Sequence, residues 1–223
     1  MDKIAIVNFS NADNLIYEWG QENLRKSFET FNPDIPFFAL KRYEEFNSPT
    51  HADCPYGFKV AAVDHVRKLG YDVVIWIDSS LRLVKSIKPL IGEITNKGIY
   101  LQGDNWKCGE WSNDSSLSYF NISRDDAMQI QNIHAIMIGF DFRHPATMPF
   151  FLRWKQCADD GLFRGSKIND KNTESKDPRC LGHRHDQTCL ELVANELKIT
   201  YSPKVWSYNV KDPTRYFSGW HYP

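Results

Sequence analysis

Apolar residues in the first half of the chain form short continuous runs that alternate with helical stripes. Three strands are predicted, in KIAIVNFS, IPFFALKRY and YDVVIWIDSSLRLV. Two helices are predicted between them, in NLIYEWGQENLRKSFETF, closed by Pro33, and in YGFKVAAVDHVRKLG, with Gly70 as its C-cap. An order of strand, helix, strand, helix, strand is typical of an α/β fold with parallel strands.

The second half of the chain is less regular. Strands are predicted in GIYLQGD, LSYFNIS and AIMIGFDF, and helices in MPFFLRWKQCADDG and in DQTCLELVANEL, which Asp186 opens. Residues 165–182 form a polar segment without periodicity, which is long enough to be a mobile loop over a site. The length of 223 residues predicts a single domain.

The third predicted strand ends on polar residues, since VVIWI runs straight into Asp78, Ser79 and Ser80. An unpaired carboxylate in an apolar interior costs several kcal/mol, so Asp78 must lie at an exposed strand end or beside a cation. Asp78 and Ser80 are two residues apart, so in an extended segment they face the same way. Their oxygens suit Mg²⁺ or Mn²⁺. The alternative is a plain turn or N-cap role for Asp78.

A ligand crevice is expected at this end of the sheet. In open parallel sheets, ligands bind outside the carboxyl ends of the strands. Asn8, Phe9 and Ser10 end the first predicted strand, so we expect them to face the same crevice as Asp78.

Composition narrows the functional classes. A net charge of −1, with no long basic run, argues against a nucleic-acid footprint. No stretch approaches about 20 apolar residues, so no membrane span is predicted. Five cysteines without a CxxC pair favour a reducing compartment, and hence the cytoplasm. The seven Trp and ten Tyr residues suit stacking on sugars or bases, whereas Gly-rich phosphate loops are absent.

Three motifs together resemble the GT-A class of nucleotide-sugar glycosyltransferases. The apolar strand followed by Asp78-Ser79-Ser80 is similar to the Asp-x-Asp motif, with a serine in place of the second aspartate. The segment HRHDQTCLELVANEL, residues 183–197, is similar to the Asp-Gln segment that opens a late helix in several GT-A families. The C-terminal FSGWHYP, residues 217–223, resembles their Gly-x-His segment, and the three motifs occur in the expected order.

The resemblance implies a GT-A-like α/β/α sandwich with a mixed, mainly parallel central sheet. Residues of about 1–100 would bind the nucleotide sugar, and residues of about 101–223 the acceptor. The size fits small stand-alone enzymes of large algal viruses and of capsule-building bacteria, and a viral enzyme would act in the host cytoplasm. The abrupt end on GWHYP also fits a domain excised from a longer chain.

The resemblance also implies roles for individual residues. Asp186 is the predicted catalytic carboxylate, and His185 and Gln187 are predicted to bind the acceptor. Asp78, Ser80 and His221 would hold Mn²⁺ or Mg²⁺. Donor binding is predicted for nine residues: Asn8, Phe9, Ser10, Lys59, Asp78, Ser79, Ser80, Gly219 and Trp220. Lys59 has an alternative role, in which its side chain merely runs along the helix surface.

The predicted activity is metal-assisted transfer of a hexose or deoxyhexose from a nucleoside diphosphate sugar, with UDP favoured as the nucleotide. The acceptor would be a hydroxyl of a glycan or glycoprotein, and retention of configuration is favoured. Two alternatives stay open: a catalytically silent sugar-binding module, and a zinc hydrolase that uses His183, His185 and Asp186. The second lacks both the HxHxDH and the HExxH pattern.

Overall fold

The computed structural model describes residues 3–207, 209 and 211–219. Its strands, in chain order, are β1 (Ile4–Phe9), β2 (Phe37–Leu40), β3 (Val73–Ile77), β4 (Leu81–Leu83), β5 (Ile99–Lys107), β6 (Gln131–Asp141), β7 (Trp206–Ser207) and β8 (Phe217–Gly219). Its helices are α1 (Leu15–Phe31), α2 (Gly57–Lys68), α3 (Lys88–Lys97), α4 (Asp114–Tyr119), α5 (Arg124–Ala127), α6 (Thr147–Asp159) and α7 (Asp186–Glu196). No helix in the described ranges is both long enough and apolar enough to cross a bilayer.

The central sheet has five strands in the order β2-β1-β3-β6-β5. β1 pairs in parallel with β2 and with β3, whereas β6 is antiparallel to both of its neighbours. Four of the five strands therefore run in one direction, and β6 alone runs against them. The predicted mixed, mainly parallel sheet is confirmed.

Helices cover both faces of this sheet because its strands are apolar on both sides. Val74 and Trp76 of β3 belong to a core shared with α2, α6 and α7. Ile75 and Ile77, which alternate with them, pack into a second core with α1 and α3. This alternation explains why VVIWI is a continuous apolar run, and it confirms the α/β/α arrangement.

The predicted strand YDVVIWIDSSLRLV is interrupted at its polar centre. β3 ends at Ile77, and a turn closed by Leu81 N–H donating to Asp78 O (3.2 Å) leads into β4. β4 leaves the central sheet and pairs antiparallel with β8, with Leu81 opposite Gly219. The turn therefore lies where two sheets separate, which opens space at the carboxyl end of β3.

Two local predictions need correction, and one helix was not predicted. LSYFNIS is not a strand: it begins within α4, whose N-cap Asn113 accepts a hydrogen bond from Ser116 N–H (2.9 Å). α3 was not predicted, although Pro89 in its first turn and its buried Leu90 and Ile94 are ordinary helix signals. In α1, the apolar stripe begins to face the core near Leu24, because Leu15 and Trp19 are 77% and 56% exposed.

Residues 165–182, predicted as a mobile loop, form a segment that is closed by hydrogen bonds. At its base, Asn169 N–H donates to Leu181 O (2.8 Å) and His183 N–H donates to Ser166 O (2.7 Å). Inside it, the Asn169 amide donates to Ser175 O and Cys180 O at 2.9 and 3.1 Å. Polar side chains thus take the place that periodic apolar contacts have in a helix or strand.

Gly182 is expected to be essential to the base of this segment. A methyl group on Gly182 would lie 2.1 Å from the carbonyl oxygen of Lys167, which is backbone and cannot rotate away. Gly182→Ala should therefore lower the free energy of unfolding by about 1–3 kcal/mol. Gly92→Ala in α3 is the matched control, because no atom lies within 4 Å of a methyl group there and alanine favours the helix. Urea unfolding that gave equal values for both variants would contradict this.

Candidate functional site

A cavity of about 410 Å³ opens at the carboxyl ends of β1 and β3. Its lining includes six of the predicted donor-binding residues, namely Phe9, Ser10, Lys59, Asp78, Ser79 and Ser80. It also includes residues without a predicted role: Asn11, Asn14, Tyr17, Tyr43, His51, Tyr56, Phe58, Trp76 and Lys167. The cavity thus opens at the end of the sheet where the sequence predicted a crevice, and the sequence named only part of its wall.

Asn8 lies beneath the cavity and is fully buried. Its amide nitrogen donates to Ile77 O, and its amide oxygen accepts a hydrogen bond from Ser79 Oγ (3.1 Å). Asn8 thus joins the ends of β1 and β3 and orients the turn. Ser10 differs from it, because its buried Oγ lines the cavity and has no hydrogen-bond partner in the described part of the chain. A buried hydroxyl without a partner is costly unless a ligand or water supplies one.

Lys59 is the charged centre of the site. Its Nζ lies 3.0 Å from Asp186 Oδ2 and 3.4 Å from Asp78 Oδ1, and it donates to Ala135 O at 2.8 Å. Only 3% of Lys59 is exposed, so the alternative of a side chain lying along the helix surface is wrong. The same Asp78 oxygen accepts a hydrogen bond from Trp76 Nε1 (2.7 Å).

Lys59 and Asp186 set each other's ionisation. Burial opposes the Lys59 ammonium, but the carboxylates of Asp186 and Asp78 outweigh it and raise the Lys59 pKa. Burial also disfavours the charged form of Asp186. It raises the pKa of Asp186 to about 6, although the Lys59 ammonium acts in the opposite direction. At neutral pH Asp186 is therefore largely ionised although it is fully enclosed, a state typical of functional carboxylates.

The two histidines before α7 are neutral and hydrogen-bonded to backbone. His183 Nε2 lies 2.9 Å from Leu162 O, and its Nδ1 accepts from Asn113 N–H (3.5 Å). His185 Nδ1 lies 2.8 Å from Phe163 O, so Nδ1 carries the proton and Nε2 keeps its lone pair. Burial lowers the pKa of both rings to about 4. Both nitrogens of His183 are thus engaged, which removes it as a zinc ligand in this arrangement.

Gln187 belongs to a buried chain of hydrogen bonds. Its Nε2 donates to Asn132 Oδ1 (2.9 Å), and Asn132 Nδ2 donates to Glu191 Oε1 (2.7 Å). Glu191 Oε1 also accepts from Ile133 N–H (3.1 Å). Gln187 thus uses its amide nitrogen within this chain, and no hydrogen bond to its carbonyl oxygen occurs among the described residues. Glu191 was missed by sequence reasoning, although its spacing of four residues from Gln187 places both on one helix face.

The predicted metal site fits the described residues in part. Asp78 and Ser80 line the cavity and supply the oxygen donors that Mg²⁺ and Mn²⁺ prefer. Gly219 lies opposite Leu81 in the register of β4 and β8, one residue beyond Ser80. Trp220 and His221, the other predicted residues, lie outside the described residues. Within the described residues, no three His, Cys, Asp or Glu side chains form a metal-binding group.

Lys167 is the clearest residue that sequence reasoning missed. It is exposed, lines the cavity, and its Nζ lies 5.2 Å from the centre of the Tyr56 ring. It comes from the polar segment 165–182, where one lysine among several carries no distinguishing signal. Only the folded base of the segment brings it over the cavity.

Comparisons with solved structures show which folds this structure resembles. No family model matches the sequence, and no curated protein matches it in sequence. The structure is similar to mouse xyloside xylosyltransferase 1, with a TM-score of 0.55 and 7% identity over 98% of this chain and 97% of that one. It is equally similar, at 0.55 and 11% identity, to a glycosyltransferase involved in glycosylation of the major capsid of PBCV-1, over 97% and 92% of the two chains. The chain has a GT-A fold.

A third structure shows how the chain relates to longer proteins. The bifunctional glycosyltransferase WbbM matches with a TM-score of 0.53 and 11% identity, over 100% of this chain but only 46% of its own. The predicted GT-A-like fold is thus confirmed on three structures. In this GT-A fold, the cavity lies at the strand ends where the sequence predicted donor binding.

Glu191 is expected to make stability depend on pH. Burial raises its folded-state pKa to about 8 from an ordinary value near 4.5, so the folded protein holds a proton that the unfolded chain releases. Its contribution is complete below about pH 4.5 and is lost as the pH rises through about 8. Glu191→Gln keeps the accepting oxygen and removes the titration. The stability of this variant relative to wild type should rise from pH 5 to pH 8 in urea unfolding, and a constant difference would contradict this.

Proposed function

We propose that the protein is a glycosyltransferase that moves a hexose or deoxyhexose from a nucleoside diphosphate sugar to a hydroxyl of a glycan or glycoprotein. The observation that carries the proposal is the ion-paired set Asp78, Lys59 and Asp186 of a GT-A fold: Asp78 and Lys59 line the cavity at the ends of β1 and β3, and Asp186 pairs with Lys59. Three proteins of this fold, compared above, are glycosyltransferases by their names.

The donor nucleotide is proposed to occupy the aromatic part of the cavity. Phe9, Tyr43 and Phe58 pack closely there, with Phe9 centred 4.8 Å from Tyr43 and 5.1 Å from Phe58. Such a wall suits the flat face of a nucleobase. Ser10 Oγ, buried without a partner among the described residues, suits a ribose hydroxyl. We favour UDP as the nucleotide because the three sequence motifs resemble those of GT-A glycosyltransferases.

Binding of the diphosphate requires positive charge, and the positive charge of Lys59 is already neutralised by other groups. Its ammonium is shared between two carboxylates and a carbonyl. Lys167 has no ion pair in the described part of the chain and lines the same cavity, so we propose that it contacts the diphosphate. Asp78, Ser80 and His221 would hold Mn²⁺ or Mg²⁺. A divalent ion so held supplies charge neutralisation to the leaving diphosphate.

The acceptor side is proposed to lie at the start of α7. Asp186 is an ionised carboxylate in a water-poor site, which suits stabilisation of positive charge at the anomeric carbon. His185 Nε2 has a free lone pair and the Gln187 carbonyl oxygen is uncommitted, so both can accept hydrogen bonds from sugar hydroxyls. The resemblance of the Asp-Gln and C-terminal segments favours retention of configuration.

The function is tested by calorimetry of UDP-glucose and UDP-galactose binding, with and without Mn²⁺, for wild type and Asp78→Ala. We expect Mn²⁺-dependent binding that Asp78→Ala abolishes while its melting temperature stays near that of wild type. Ser80→Ala should lose less affinity, because water can replace a neutral hydroxyl ligand. Binding of free sugars without any nucleotide-sugar binding would favour the sugar-binding module instead.

Asp186→Asn should separate a catalytic role from a structural one. The amide keeps an oxygen that can accept from Lys59, so the fold and UDP-sugar affinity should persist. The melting temperature should fall, because the buried ammonium loses one of its two charged partners. The lost negative charge should lower turnover by about 10²–10³-fold. Turnover is measured beside the melting temperature and the donor affinity. A variant with near-normal turnover would reduce Asp186 to a structural partner of Lys59.

Lys167→Met should weaken binding of the diphosphate without affecting the nucleoside. Removing one exposed cation from a phosphate contact should lower UDP affinity by about tenfold, and less at high salt. Uridine affinity should be unchanged. Lys171→Met is the matched control, because Lys171 is exposed in the same segment but does not line the cavity. Equal effects of the two substitutions on UDP affinity would refute a specific contact.

A further inference from the structure

Two tryptophans and an arginine form a cluster outside the donor cavity. Trp106, near the end of β5, is 48% exposed, and its ring meets that of Trp111 edge-on at a centroid distance of 5.8 Å. The Arg184 guanidinium carbon lies 4.0 Å from the centre of the Trp111 ring. We call Trp106, Trp111 and Arg184 the tryptophan platform. None of the three lines the donor cavity.

The tryptophan platform borders the proposed reaction centre. The carbonyl oxygen of Trp111 accepts a hydrogen bond from Arg184 N–H (3.1 Å) and another from Thr188 Oγ1 (2.6 Å). Arg184 and Thr188 lie on either side of Asp186 and Gln187 in the first turn of α7. A sugar resting on the platform can therefore extend toward these two residues.

The turn that carries Trp111 is held in place before any ligand arrives. Trp111 N–H and Ser112 Oγ both donate to Cys108 O, at 3.0 and 2.8 Å. The Arg124 guanidinium donates to Gly109 O in the same turn. Binding to a surface that is already ordered costs less conformational entropy than binding to a loose loop.

The chemistry of the tryptophan platform matches a charged sugar. An exposed indole offers a flat apolar surface for the C–H face of a sugar ring. Arg184 is exposed and has no ion pair among the described residues. Stacking on Trp111 covers the face of its guanidinium but leaves the in-plane N–H groups free for an anion. The carboxylate of Glu110 on the same turn already accepts from Lys107 N–H (2.7 Å).

We propose that the tryptophan platform is an acceptor subsite for a sugar ring that carries an anionic group, a hexuronate or a sugar phosphate. The apolar face of the ring stacks on Trp106, and its carboxylate or phosphate pairs with Arg184. This inference rests on the proposed function, because it names the class of acceptor that the same site takes.

The experiment measures ligand-observed NMR titrations of the full chain with three probes, in the presence of saturating UDP and Mn²⁺. The probes are methyl glucuronide, methyl glucoside 6-phosphate and neutral methyl glucoside. We expect at least one anionic probe to bind about tenfold more tightly than the neutral one. Trp106→Ala should weaken all three probes, whereas Arg184→Met should remove only the preference for the anion. Trp19→Ala, which removes an equally exposed indole from α1, is the control.

These results test the acceptor subsite separately from the proposed glycosyltransferase function. Equal affinity for charged and neutral probes, anion selectivity that survives Arg184→Met, or weakening by Trp19→Ala as large as that by Trp106→Ala would overturn it. Absence of binding to any probe would do the same. UDP calorimetry on the same samples reports on the proposed function: wild type that binds UDP but fails these tests refutes only the acceptor subsite. The preferred anionic probe distinguishes a uronate acceptor from a phosphorylated one.

Discussion

The buried ammonium of Lys59 is the interaction on which the site depends. It comes from α2, and it joins Asp78, at the end of β3, to Asp186, at the start of α7. Two carboxylates held close together repel each other, and a cation between them offsets that repulsion. The question raised by an apolar strand that runs into a carboxylate is thus answered inside the protein. The cation beside Asp78 is a lysine, whatever further cation the site binds.

This ion-paired set lies between two groups of residues with different chemistry. On one side, aromatic rings from the end of β1 and from the residues before α2 form an apolar wall. On the other, at the start of α7 beside Asp186, His185 and Gln187 carry hydrogen-bond acceptors rather than charges. Lys167 and Arg184 are cations without an ion pair among the described residues, and both are exposed at the surface. Asp78, Lys59 and Asp186, by contrast, together leave one formal negative charge unpaired.

The features that followed from the sequence are those set by local periodicity. β1, β3, α2 and α7 were predicted because each has an apolar run or stripe, and the end of the sheet followed from strand polarity. LSYFNIS was misjudged because capping by Asn113, not apolar spacing, decides its conformation. The surroundings of three side chains could not be predicted, namely those of Lys59, Glu191 and Lys167. Each of them contacts residues that are far away in the sequence. Lys59 and Asp186, for example, are separated by 127 positions, 186 minus 59.

The pairing of β4 with β8 has a consequence for the order of assembly. Leu81 directly follows the Asp78–Ser80 turn, yet its partner Gly219 lies 138 positions further along the chain, 219 minus 81. Strands of the central sheet are complete by Asp141, so that sheet can form long before the small one. Pairing between positions so far apart is slow, because loop-closure entropy must be overcome first. During synthesis the central sheet can therefore form before β8 is available to buttress the Asp78–Ser80 turn.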